Sequence, residues 1–228
     1  MPDLPSLSQR LSTIDDQIAD AARQASRDPA LITRIVVTKF HPASLVRELY
    51  DLGVRDFGES RHQEAQPKVA ALSDLDARWS FVGQLQSKKA RQVRAYCDAI
   101  HSVDRDSLIT ALTNEESVVP LDVFVQVNLT EDQGRGGVLP GDLDSFVDRV
   151  ANAAGLKLRG LMTVAPLGED PRPAFSALRS LSEGIAARHP DAQALSMGMS
   201  GDFAEAIVEG ATHLRIGTAI TGKRPDHG

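Results

Sequence analysis

From Leu31 onward, short apolar runs alternate with amphipathic stretches. The runs are Ile35–Val37, Asp56–Gly58, Trp79–Val82, Ala99–Val103, Leu121–Val127, Leu158–Thr163, Ala194–Ser196 and His213–Ile216. Brief apolar segments bounded by polar or turn residues read as buried parallel strands. The stretches between them carry the helical period. Ala43–Leu52 stops at Gly53, a natural helix end. Ser60–Leu72 gathers Ala65, Val69 and Leu72 on one face, and Asp142–Ala153 does the same with Leu143, Phe146, Val147 and Val150. Ser87–Tyr96 opens on a serine and Asp104–Glu116 on an aspartate, both good caps. Pro173–Arg188 and Gly201–Glu209 complete the series.

Eight strands with intervening helices predict an α/β protein, a parallel (β/α)₈ barrel of the TIM type rather than an open sheet. Leu7, Leu11, Ile14 and Ile18 predict an extra N-terminal helix over about residues 4–24, ahead of a barrel over about 31–224. No segment rich in Pro, Gly or Ser marks a boundary, so one domain is expected over residues 1–228.

In such a barrel, chemistry gathers where strands end. Lys39 closes the first strand, Glu59 and Ser60 follow the second, and Gly83 and Gln84 the third. His101, Ser102 and Asp104 end the fourth, Asn128 the fifth, and Met162 and Thr163 the sixth. Lys39 carries the most information, because an ammonium at the end of an apolar strand needs a partner or a job. Desolvation would lower its pKa and free a nucleophilic amine suited to a Schiff base. The plainer alternative is a lysine that turns into solvent.

Two small-residue loops follow the last strands, Ser196-Met197-Gly198-Met199-Ser200-Gly201 and Arg215-Ile216-Gly217-Thr218. Backbone N–H groups and hydroxyls in such loops suit a phosphate, and barrels of this kind often place phosphate there. Arg215 alternates against Leu214 and Ile216, so it points the other way from both. A guanidinium facing inward keeps its proton and would leave a pyridine nitrogen unprotonated. The bland alternative pairs Arg215 with Glu209 or Glu59.

Composition narrows the classes. The net charge of −6 gives no reason to expect nucleic acid or an anionic membrane. No apolar stretch approaches the ~20 residues of a membrane span, and residues 1–9 lack a secretory pattern. The one cysteine, Cys97, cannot form an internal disulfide, and no Cys/His spacing resembles a metal site. A cytoplasmic protein without metal is expected, with Cys97 a small core residue.

Eight stretches, taken in order, are similar to the pyridoxal phosphate homeostasis proteins, which share the fold of the N-terminal domain of alanine racemase. They are Val36–Lys39, Phe57–Ser60, Trp79–Gln86, His101–Arg105, Val125–Asn128, Leu158–Met162, Leu195–Ser200 and Arg215–Thr218. The resemblance covers about residues 32–224. It implies that Lys39 holds pyridoxal 5′-phosphate (PLP) as a Schiff base. It further implies that Ser200, Gly217 and Thr218 hold the phosphate, that Arg215 faces the pyridine nitrogen, and that Asn128 and Met197 line the ring pocket. The implied role is to carry, buffer or deliver PLP, with PLP-requiring apo-enzymes as recipients and no catalytic residues; a monomer is expected. Ser60, Ser80, Gln84, Lys88, His41 and Arg135 stand where the family usually has Asn, His, Pro, Asn, Lys and Lys.

Two enzymes compete with that reading. An amino-acid racemase would need a second acid/base on the far face of the cofactor. Tyr50 and Tyr96 are the only tyrosines, and both fall on predicted helices. An aldolase acting on a sugar phosphate would need carboxylates around Lys39, and Glu59 is the one clear candidate.

Overall fold

The computed structural model describes residues 5–130 and 132–223, with the main chain alone at 133. Leu4 and Arg224, the outer limits expected for the first helix and the barrel, lie outside the described residues. Eight strands close into a parallel barrel in chain order. They are β1 Thr33–Val37, β2 Asp56–Glu59, β3 Arg78–Phe81, β4 Ala99–Val103, β5 Leu121–Gln126, β6 Leu156–Met162, β7 Ala194–Met199 and β8 His213–Ile216. The seam closes where Val36 of β1 pairs with Ile216 of β8.

The helices are α1 Leu7–Gln24, α2 Ala43–Asp51, α3 His62–Ala70, α4 Ser87–Arg94, α5 Asp106–Leu112, α6 Leu143–Ala151, α7 Arg172–Ala186, α8 Phe203–Val208 and α9 Thr218–Thr221. Their apolar faces and the outward side chains of the strands form one aliphatic layer, in which Val36, Phe57, Phe81, Ile100, Val123, Leu161 and Leu214 are buried. Helix α1 buries Leu7, Leu11, Ile14 and Ile18 and packs across α8 and α9. Arg10 donates to the Ile220 carbonyl at 2.7 Å and Arg27 to the Ile207 carbonyl at 2.8 Å. The extra helix thus braces the part of the barrel that carries the last two loops.

The barrel interior is unusually polar. His101, Ser196 and Arg215 sit there beside Phe124 and Ile35, where aliphatic residues usually dominate. Gly160 is required where β6 meets β7. Its φ is +154°, and a Cβ there would lie 1.8 Å from the Ala194 carbonyl oxygen.

Several local expectations change. Strand β7 runs three residues further than the apolar run, to Met199. Helix α5 stops at Leu112 rather than Glu116, because Asn114 leaves the helix to donate to the Ala154 carbonyl. Asp104 does not cap α5. Its carboxylate pairs with Arg105 and accepts from the Gly137 N–H, leaving Arg105 as the N-cap. Ser87 does not cap α4 either, since Gln86 is the N-cap and the Ser87 hydroxyl meets that of Ser107 at 2.8 Å. In both cases a tertiary partner outcompetes the local turn. Cys97 is buried, as expected of a core residue, and burial pushes its thiol pKa up.

Among the described residues no helix is long and apolar enough to cross a membrane, and no group of three or more His, Cys, Asp or Glu is placed to hold a metal.

Candidate functional site

The site begins at the end of β1. A Cβ on Gly58 would touch Ile35 Cγ2 at 2.9 Å and Val37 Cγ2 at 3.2 Å, so these two residues face the interior. By alternation Val36 and Thr38 face the helices, and Lys39 follows Val37 to the mouth. The chain then turns sharply. The His41 N–H donates to the Thr38 carbonyl at 3.1 Å, and Phe40 takes φ +68°. A left-handed conformation costs a side-chain-bearing residue on the order of 1 kcal/mol. Lys39 is exposed at this turn, which corrects the expectation of a desolvated amine. The strand ends two residues earlier, so the lysine sits above the apolar layer rather than within it.

The buried lysine is Lys68 of α3, which sequence reasoning passed over. Its Nζ lies 2.6 Å from Glu59 Oε1 and donates to the Thr38 carbonyl at 2.8 Å. Thr38 Oγ1 donates to the same carboxylate oxygen at 2.7 Å. Thr38 is 0 % exposed, Glu59 1 % and Lys68 7 %. Burial pushes the Glu59 carboxyl up, and the Lys68 ammonium pulls it back down. Glu59 therefore belongs to the outer layer behind β1. It turns away from the mouth, where an aldolase would need it.

On the other flank of β1, the loops after β7 and β8 meet. The Gly217 and Ala219 N–H groups both donate to Ser200 Oγ, each at 3.3 Å. Gly217 lies against Val37, 3.7 Å from where its Cβ would be, beside the strand that carries Lys39. Thr218 is exposed next to them. Two backbone donors converging on one oxygen, with hydroxyls alongside, are the donor set a phosphate requires.

Below these loops, Arg215 is 5 % exposed inside the barrel. It donates to Ser196 Oγ at 2.7 Å and to the Thr163 carbonyl at 2.8 Å, so neither Glu209 nor Glu59 is its partner. Desolvation lowers its pKa to about 10, which still leaves a cation at neutral pH. Ser196 Oγ also meets His101 Nδ1 at 2.8 Å. His101 stacks on Phe124, with ring centroids 4.2 Å apart, and burial holds its pKa well below the usual range. Its neutral ring adds no second charge beside the guanidinium.

The loop after β5 folds over the remaining side of the mouth. Asn128 is buried and works within that loop: its Oδ1 accepts from the Thr130 N–H at 3.0 Å and its Nδ2 donates to the Asp132 carbonyl at 3.0 Å. With Gln84, Gln126, Arg135 and Met162 it lines a cavity of 180 Å³. Met197 is 0 % exposed and lies on the opposite face of β7 from Ser196, in the aliphatic layer.

The family model described as alanine racemase, N-terminal domain, matches residues 11–225. The chain belongs to that family. It is 37 % identical over 227 residues to the pyridoxal phosphate homeostasis protein of Pseudomonas aeruginosa, with 99 % of this chain and 98 % of the relative covered. PipY of Synechococcus elongatus PCC7942, solved with PLP bound, superposes with a TM-score of 0.84 at 36 % identity, covering 95 % of this chain and all of that one (100 %). Alanine racemase from Corynebacterium glutamicum shares the fold at a TM-score of 0.67 and 16 % identity, over 94 % of this chain and 63 % of the racemase.

For this family member, the chain's own residues provide a test of whether a PLP-sized group fits. An amine, a convergent pair of N–H donors and an inward guanidinium all belong to adjoining strands β1, β7 and β8. Lys39, Ser200, Gly217, Thr218 and Arg215 are brought to this side of the barrel. Asn128 reaches the mouth from the β5 side, whereas Met197 is turned into the core. Lys68 left a usable trace, since it lies with Ala65, Val69 and Leu72 on the buried face of one helical period, where a lysine demands a partner.

Proposed function

We propose that this chain binds pyridoxal 5′-phosphate as a Schiff base on Lys39 and serves cofactor homeostasis, carrying, buffering or delivering PLP without turning over a substrate. Bound PLP supplies an aldehyde that condenses with a lysine amine as water leaves. Lys39 provides that amine, Ser200, Gly217 and Thr218 the phosphate donors, and Arg215 a fixed cation for the ring nitrogen. Asn128 closes the β5 side. The observation that carries this reading is the convergence of the Gly217 and Ala219 N–H groups on Ser200 Oγ beside the lysine strand. It gains weight from the full-length similarity to proteins named for PLP homeostasis.

A carrier is favoured over a racemase by what the tyrosines do. Tyr50 lies under Arg55, and Tyr96 meets His62 Nδ1 at 3.3 Å, so each ring already has a side-chain partner in this chain. Glu59 being occupied by Lys68 and Thr38 weighs against the aldolase in the same way. The recipients fitting this role are PLP-requiring apo-enzymes, and the proposed setting is a monomer in the cytoplasm. The test is borohydride reduction of the PLP-loaded protein followed by peptide mass spectrometry. A pyridoxyl group on the peptide containing Lys39, with no amino-acid racemisation before reduction, supports the proposal. Modification confined to other lysines overturns the site, and steady racemisation overturns the carrier.

A further inference from the structure

The residues on either side of Lys39 are held by one helix. Lys68 of α3 donates to the Thr38 carbonyl at 2.8 Å, fixing the peptide group that precedes Lys39. Glu64 lies one turn earlier on the same helix face. Its Oε2 accepts from the Phe40 N–H at 3.1 Å, fixing the peptide group that follows Lys39. The Arg61 guanidinium covers the Phe40 ring at 4.6 Å and donates to Glu64 Oε1 at 3.3 Å. Glu59 completes the arrangement from β2, accepting from both Lys68 and Thr38. A turn with a left-handed Phe40 would relax if left alone, and these contacts prevent it.

We propose that α3 is a clamp that presets the backbone of Lys39, with Glu64 and Lys68 as positioning residues for covalent capture of the aldehyde. This rests on Lys39 being the PLP lysine. The physical reason is preorganisation. Bond formation needs the amine in one place, so freedom of the backbone that carries it counts against capture. Fixing both flanking peptide groups removes that freedom without touching the cofactor. Helix α3 reaches β1 from the β2 flank, whereas the phosphate loops follow β7 and β8 beyond its other edge, so the clamp should affect capture of the aldehyde and leave phosphate recognition alone. A scaffold role without such selectivity would weaken every ligand together.

The test compares PLP with 4′-deoxypyridoxine 5′-phosphate, which keeps ring and phosphate but has no aldehyde. Calorimetric titration of both ligands is done on wild type, Glu64→Ala and the double variant Glu59→Gln/Lys68→Met. The double variant removes both buried charges together, so no lone ion is left to unfold the protein. Glu64→Ala, at a half-buried position, is the second route should the double variant fail to fold. The expected result in either variant is PLP binding weakened about tenfold, the scale of one lost hydrogen bond to a charged group, with the deoxy analogue unchanged within about twofold. Equal weakening of both ligands, or no weakening of either, overturns the clamp. Wild type that binds both ligands equally and develops no Schiff-base absorption with PLP overturns the underlying reading instead, so the two failures are distinguishable.

Discussion

The two sides of the barrel mouth are built on opposite terms. On the β1–β2 side, Thr38, Glu59 and Lys68 are buried and bonded to one another, and α3 closes over them. On the β7–β8 side, Ser200 is half-buried, Thr218 is exposed, and backbone N–H groups point at a shared hydroxyl oxygen. The first side is closed by buried side chains, whereas the second gathers backbone donors on a half-buried hydroxyl at the mouth. The difference teaches that the reactive lysine of the proposed site need not be buried to be controlled. Its neighbours are buried for it.

The largest effect that would break this comparison comes from splitting the buried pair. Lys68→Met leaves Glu59 desolvated without its counter-ion, and stability should fall by about 3–5 kcal/mol, read as the midpoint of denaturant unfolding. An unchanged midpoint would mean the pair contributes nothing to the closed side.

A smaller effect concerns the barrel interior. The pKa of His213 is lowered to about 4, chiefly by burial, and His101 is shifted the same way. The unfolded chain takes up a proton near the ordinary histidine value, but the folded chain does not until far lower pH. Stability should therefore fall as the pH drops through that window, by up to ~3 kcal/mol for His213. Unfolding curves from about pH 7 down to about pH 4 check this, and His213→Gln should flatten the slope. A slope unchanged in that variant would assign the loss elsewhere.

The smallest effect sharpens the other side. Ser200→Ala removes a hydroxyl from the donor loops, and PLP affinity should fall about fivefold, in line with a net hydrogen bond of ~1 kcal/mol. Its unfolding midpoint should stay close to wild type, because no buried charge is stranded. A large loss of stability with no loss of affinity would reverse the roles assigned to the two sides.

The architecture was legible because β-branched runs and helical faces alternate without interruption. Val36, Phe57, Ile100 and Leu214 all fall where the strand pattern puts them. The helix starts were less so. Ser87 and Asp104 look like caps locally, but Ser107 and Gly137, distant in sequence, claim their side chains. Lys39 was legible as a strand-end lysine that is either desolvated or turned into solvent, and the turn at Phe40, held by contacts from α3, decides for solvent. The burial of Lys68 depends in turn on Glu59, nine residues away and on another element. A period can place a lysine on a buried face, but only the packed structure supplies its counter-ion.

The central claim is that Lys39 captures PLP beside the β7–β8 loops. The most direct measurement is the visible absorption spectrum of the purified protein, with Lys39→Ala in parallel, before and after addition of PLP. The account predicts a Schiff-base band in wild type that Lys39→Ala lacks. A band that persists in Lys39→Ala, or no band in wild type with PLP in excess, would contradict it.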